Sequence, residues 1–291
     1  MSPAVSFFER LLKRDGAITI AGLFALWVLT WAYLAAGAGL GMSAWDMTRL
    51  ALLPYQPIEG STTAMSSMPA MSDMPGMAMD SMAPAWDSAH WGLMVAMWWA
   101  MMIAMMTPSA APTILLYARV HRHAQTQGQM ATRPATAAFV AGYFLIWLAF
   151  SIAATAVHQA LESAGVVSAM TMGSQVQWLS GTALIVTGLY QLSPLKNACL
   201  SHCRAPAEFL SRHWRPGPRG AIRLGVVHGA YCIGCCWMLM VLLFVGGVMN
   251  LAWIAALSLL VLAEKVLAKG RWVGYCAGVV LMAWGAVILL Q

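Results

Sequence analysis

Charge is what this chain has least of. Asp, Glu, Lys and Arg make up 9% of its 291 residues, against about 25% in an ordinary soluble domain, so water cannot be the medium for most of its surface. The formal net charge is +6, but the basic residues are spaced between long apolar runs rather than gathered in a stripe. That distribution excludes a nucleic-acid-binding domain. Cysteine is also scarce: six residues, dispersed along a chain that is neither short nor soluble, make no disulfide framework. Catalytic signatures are missing as well. No Walker A loop or Asp-Lys-Thr-Gly phosphorylation sequence supports an ATP-driven pump, and no H-E-x-x-H pair or locally supported Ser/His/Asp set supports hydrolysis. Between their ends the apolar runs hold no Asp or Glu, which argues against a proton-relay antiporter. The chain is therefore read as a non-enzyme, with a redox role for its cysteine pairs as the open alternative.

What is present is apolar sequence, 60% by composition, with 23 methionines and 14 tryptophans. A membrane-spanning helix needs about 20 apolar residues. Runs at 17–39, 91–117, 135–158, 176–192, 224–247, 249–263 and 272–290 predict an all-α, polytopic bundle of about seven transmembrane helices in a lipid bilayer. The sixth run is the shortest and follows the fifth through Gly246 and Gly247 with almost no loop, so a merged helix or re-entrant hairpin is the alternative there. Fifteen of the sixteen Lys and Arg residues fall on one flank of these runs, leaving Arg49 for the other. The positive-inside rule then puts the amino terminus in the cytoplasm. The first run, at about 23 residues, exceeds the 7 to 15 residues of a signal-peptide core, so it is read as an uncleaved span. Ahead of it, in residues 1–16, Phe7, Phe8, Leu11 and Leu12 lie beside Arg10, Lys13 and Arg14 at helical spacing, the pattern of a segment lying along the inner membrane surface. Residues 40–89 become an extracytoplasmic, largely disordered loop, and residues 90–291 the remaining bundle.

Within that loop, residues 65–82 read MSSMPAMSDMPGMAMDSM, with seven methionines in 18 residues. This composition cannot bury a core. Thioether sulfur is a soft, neutral ligand suited to Cu(I), and it survives an oxidising compartment where thiols pair; a spacer with a methionine bias is the alternative. Directly after the loop, His90, Met94, Met97, Met101 and Met105 fall within about 60° of one another on a helix, forming one stripe of soft donors. Methionine also fills irregular helix contacts well, so packing competes with a ligand track here. Pro108 and Pro112 free carbonyls near the inner end, and these need other partners in a membrane.

Two cysteine groups follow. Cys199, His202 and Cys203 stand at i, i+3 and i+4 just inside the fourth run, where a reducing cytoplasm disfavours a structural disulfide and favours a metal hand-off site or a helix cap. In the fifth run, His228, Cys232 and Cys235 share one face within about 60°, with Cys236 about 45° round from Cys232. Counting from Leu224, Cys232 lies about 12 Å and Cys235 about 16 Å into the bilayer. A Cys-x-x-Cys pair on a helix can offer two thiolates to one soft cation, and His228 adds a third ligand; burial as small apolar residues is the alternative. Cys276 has no local partner and is read as core, and His121 and His123 as solvated charge.

Three blocks in this order, WWAMMIAMMTPSAAPTILLY, GLYQLSPLKNACLSHCRAP and GAYCIGCCWMLMVLLFVGGVMNLAWIAAL with a closing AEK, resemble a bacterial family of unknown function known as predicted metal-binding integral membrane proteins. The resemblance covers about residues 90–268. It implies an inner-membrane protein that binds metal, and it carries over Cys199 and Cys203 from the middle block and Cys232, Cys235 and Cys236 from the last. The expected function is Cu(I) binding and copper handling, by transport, acquisition or delivery to a copper enzyme, with another soft or transition metal as the second choice. A copper chaperone or copper-enzyme assembly factor would be the protein partner. The rival readings are a membrane thiol-disulfide oxidoreductase and a non-catalytic assembly subunit.

Overall fold

Proline and glycine punctuate the apolar runs, and in the computed structural model Pro194, Pro206, Gly247 and Gly270 mark helix boundaries while Pro108 and Pro112 lie within a helix. The structure describes residues 3–39, 44, 45, 48, 86–126, 135–169 and 171–291, so the methionine-rich segment 65–82 lies outside the described residues. Helix α1 (Pro3–Ala35) joins the expected amphipathic segment and the first span in one element, and the chain leaves it through Gly37 at φ 88°. Helix α2 (Ser88–Thr126) follows, begun by Asp87, whose carboxylate accepts from the His90 N–H at 2.7 Å and so satisfies one of the open first-turn donors. Then come α3 (Ala135–Ser163), α4 (Gln177–Leu192), α5 (Pro194–Arg204), α6 (Pro206–His213), α7 (Gly217–Val241), α8 (Leu243–Gly246), α9 (Leu251–Val266) and α10 (Gly270–Leu290). The described residues contain no strand, only an isolated bridge between Val167 and Ser174.

All seven apolar runs are helical, and five helices are long and apolar enough to cross a membrane: those over Ala17–Ala35, Ser88–His123, Ala135–Ser163, Gly217–Gly246 and Gly270–Leu290. The other two expected spans, α4 and α9, have 16 residues each, about 24 Å of helix against the roughly 30 Å of a hydrocarbon core. Ser193 and Pro194 stop α4 because they start α5: the Ser193 hydroxyl caps it by accepting from the Lys196 N–H at 3.2 Å. The fifth and sixth runs do not merge. Gly247 turns the chain at φ 90°, and the Asn250 side chain caps α9 by accepting from the Trp253 N–H at 3.2 Å. The indole of Trp253 donates back to the Leu242 carbonyl at 2.7 Å, where α7 ends. Part of the 40–89 segment is tied to the bundle, since Thr48 Oγ1 accepts from the Leu251 N–H at 2.9 Å.

Helix α2 runs through the core, with Met94, Met97, Trp98, Met101, Met105 and Ile114 all buried. Helix α1 packs on it from outside and turns Phe24 and Leu29 outward. Helices α3 and α7 meet backbone to backbone. A Cβ on Gly225 would lie 2.1 Å from the Phe139 carbonyl oxygen, and one on Gly142 would lie 2.2 Å from that of Ile222. The α4 and α10 pair repeats the device, with Gly188 against the Gly278 carbonyl and Gly285 against that of Gly181. Small residues at a helix crossing permit this approach in apolar surroundings, where close packing drives association.

A buried ion pair holds α5 to α9. Lys196 and Glu264 are each 1% exposed, and the Lys196 ammonium lies 2.7 Å from both carboxylate oxygens. Gln191 donates to Glu264 at 2.9 Å and accepts from Lys196. Arg204, at the end of α5, donates to the carbonyls of Glu264, Leu267 and Ala268 at 2.7 to 2.8 Å, which satisfies the open carbonyls at the end of α9. Lys196 and Lys265, counted from the sequence among the basic residues flanking the runs, are both buried, because the compact turn into α5 and the extension of α9 past residue 263 draw them into the bundle. Cys276, read as core, is exposed, since it lies on the outward face of α10. His121, read as solvated, is buried and stacked on Tyr117.

Two outcomes follow for stability. Glu264→Gln leaves the Lys196 charge unpaired and is expected to destabilise by about 3–5 kcal/mol, with the double change Lys196→Met and Glu264→Leu recovering much of the loss; thermal unfolding in detergent measures both. Gly225→Leu is expected to exceed the roughly 1–3 kcal/mol of ordinary overpacking, because the obstacle is backbone, and a melting point within a few degrees of the native protein would contradict it.

Candidate metal centre

Helix α7 carries His228, Cys232, Cys235 and Cys236 inward, all of them at 2% exposure or less. The two thiols after Cys232 turn back onto their own helix: Cys235 donates to the Cys232 carbonyl at 3.1 Å and Cys236 does so at 2.9 Å. Cys232 itself is held from two other helices. The Tyr143 hydroxyl of α3 is 3.1 Å from its sulfur, and the Lys265 ammonium of α9 donates to that sulfur at 2.8 Å. Lys265 also donates to Ser109 of α2 at 3.2 Å.

The second cysteine group arrives on α5. Cys199 and Cys203 are half-buried. The Cys199 sulfur lies against Gly234, where a Cβ would be only 2.8 Å away, so the glycine between Cys232 and Cys235 is what lets α5 approach. Cys203 interacts with both Cys232 and Cys235. Burial pushes the Cys199 thiol above its ordinary range, and charge on Cys235 pushes it the same way, so a metal binding there must displace a proton. The two cysteine groups, about thirty residues apart in sequence, are thus adjacent in space.

The expected histidines stand differently. His202 donates from Nδ1 to the Ala198 carbonyl, 2.9 Å away, and stacks on Tyr231 with ring centroids 4.1 Å apart and planes at 3°. That ring contact accounts for its position without a metal. His228 sits among the rings of Phe139, Tyr143 and Phe209 at 5.2 to 6.1 Å, with its Nδ1 buried and without a hydrogen-bond partner. His90 is at the opposite end of α2, edge-on to Trp86.

Met94, Met97, Met101 and Met105 are all buried, and so are Met102 and Met106 on the other side of the helix; burial therefore extends beyond the stripe. Near Pro108 three hydroxyls donate to carbonyls of the helix. Thr107 donates to Ile103, Ser109 to Met106, and Ser258 of α9 to Met105 at 3.3 Å. Through Ser258, Ser109 and Lys265, the end of the stripe meets Cys232.

Sequence reasoning missed Tyr143, Lys265, Gln191 and Glu264. The only local signal was the AEK closing the third block, where a charged pair directly follows an apolar helix. Among the described residues no three His, Cys, Asp or Glu side chains already form a metal cage. The donor set nonetheless fits a soft ion: it is sulfur-rich, buried and free of carboxylate at the cysteines, and soft thiolates select Cu(I) while oxygen donors select harder cations.

No curated protein and no solved structure matches this chain. The model of the PpoB2 family, described as a copper chaperone, matches residues 95–288, extending past the 90–268 stretch of the resemblance to take in nearly all of α10. The match spans α2 through α10 and every cysteine of the chain, and this protein belongs to the PpoB2 copper chaperone family.

Proposed function

We propose that this chain is a multi-pass protein of the bacterial inner membrane that binds Cu(I) at Cys203, Cys232 and Cys235 and hands it to a partner, acting as a carrier rather than an enzyme. Cys199 and Cys236 serve as neighbouring sulfurs. The observation that carries this reading is the meeting of the α5 and α7 cysteines at the inner end of a methionine-rich helix, in a chain of a copper chaperone family.

Membrane residence is supported by five long apolar helices and by large apolar side chains turned outward, such as Trp178, Leu259 and Val280. In this proposal α4 and α9 also span, with the bilayer thinning locally to match their length. The amino terminus is cytoplasmic and the segment 65–82 faces outward. Copper is captured there, passes along Met94, Met97, Met101 and Met105, and reaches the cysteines. Thiolates bind Cu(I) more tightly than thioethers, so the order of donors sets an inward, downhill direction. The back-bonded thiols of Cys235 and Cys236 are released from the Cys232 carbonyl as they turn toward the ion, and each ligating thiol gives up its proton.

The first measurement is the Cu(I) stoichiometry and affinity of the reduced full chain in detergent, beside a variant with Cys232→Ser and Cys235→Ser. Tight copper is expected in the native protein, weakened in the variant beyond the roughly 10–100-fold that loss of an outer-shell partner causes. Absence of copper in both would overturn the reading and turn attention to thiol redox state in cells. Deleting residues 65–82 is expected to lower copper acquisition by cells while leaving the stoichiometry of the purified protein unchanged; equal acquisition would remove the loop from the pathway.

A further inference from the structure

A cavity of about 420 Å³ opens between the ends of α5 and α10, lined by Ser201, Arg204, Lys269, Arg271 and Trp272 with two alanines. Among the described residues its three cations face no carboxylate: the lining holds none, and the buried carboxylate of Glu264 is taken by Lys196 and Gln191. Arg204 is fixed in place by three backbone carbonyls, which orient its guanidinium without neutralising its charge. The Ser201 hydroxyl, on the same helix, donates to the Ala198 carbonyl at 2.7 Å, so the cations carry the site. Trp272, which lines the cavity, is 67% exposed, and Val266 and Leu267, just ahead of the lining residue Ala268 in the chain, are 56% and 50% exposed. Trp272 also meets Tyr275 edge-on, and such amphipathic rings favour the headgroup level of a bilayer.

We propose that this cavity binds the phosphodiester headgroup of an anionic glycerophospholipid, with Arg204, Lys269 and Arg271 on the phosphate and Trp272, Val266 and Leu267 along the acyl chains. A free anion would use the cations and leave the apolar edge in water; a neutral lipid would use the edge and leave three cations uncompensated. Only an anionic lipid answers both. Basic pockets between helices on the cytoplasmic side take such headgroups. The site lies on α5, one turn from Cys199 and Cys203, so its occupant steadies the helix that brings those cysteines to α7.

The inference rests on the membrane reading, and the experiment separates the two. The full chain is first floated with phosphatidylcholine vesicles; failure to float overturns both. It is then exchanged in mild detergent against phosphatidylglycerol or phosphatidylcholine, and retained lipid is counted by native mass spectrometry, for the native chain and for Lys269→Gln with Arg271→Gln. Arg204 is left in place because it caps α9. The native protein is expected to retain phosphatidylglycerol preferentially, and the double variant to lose roughly tenfold or more of that preference. A chain that floats but retains the two lipids equally overturns this inference alone, as does a preference unchanged in the variant. Displacement of phosphatidylglycerol by millimolar inorganic phosphate would also overturn it, by making the site one for a free anion.

Discussion

The contact between Lys196 and Glu264 is the one on which the rest of the candidate site depends. Two opposite charges with almost no exposure cannot be left unsatisfied in an apolar interior, and each fixes the other because removing either strands a buried charge. Their helices are therefore held in one register. Lys196 begins α5 and Glu264 nearly ends α9, so the pair sets where Cys199 and Cys203 stand relative to Lys265. Arg204 reinforces the arrangement from the far end of α5 by closing the carbonyls of α9. A helix of 11 residues would be marginal alone; anchored at both ends, it delivers two thiols to a defined place.

The second constraint is proximity of backbones. Gly142 and Gly225 bring α3 and α7 into direct contact, which puts the Tyr143 hydroxyl beside Cys232. Gly234 does the same for α5, admitting the Cys199 sulfur. In each case the missing side chain is what positions a polar or sulfur group on the partner. Hydroxyls add a further tie: Ser109 and Ser258 donate to the carbonyls of Met106 and Met105 in α2, and Ser258 and the Lys265–Ser109 contact link it to α9.

For a copper chaperone family member, this design has a chemical logic. A carrier must bind its ion and also release it, and the cysteines have alternative partners at hand: the Cys232 carbonyl for Cys235 and Cys236, and the Lys265 ammonium for Cys232. Under the proposed function those partners would compete with the metal for the same sulfurs. The same competition explains how buried thiols remain hydrogen-bonded without an ion, which an apolar interior requires of polar groups.

The all-helical class, the seven helical runs and the cysteine and methionine groups were legible because they depend on local pattern. Scarce charge forces apolar helices, and helical spacing alone aligns Cys232 with Cys235 and His228. The resemblance of the three blocks pointed to metal, and the family match bears out copper handling in general terms. Other features were beyond local pattern. The burial of Lys196, Glu264 and Lys265 is decided by neighbours from distant sequence. The stacking of His202 on Tyr231 has no local signature, and Cys276 looked like core until α10 turned it outward. By itself the sequence determined which residues could bind a soft ion. The tertiary structure decided which of them meet, because that rests on glycine-mediated helix approach and one buried ion pair, neither of which has a local signature.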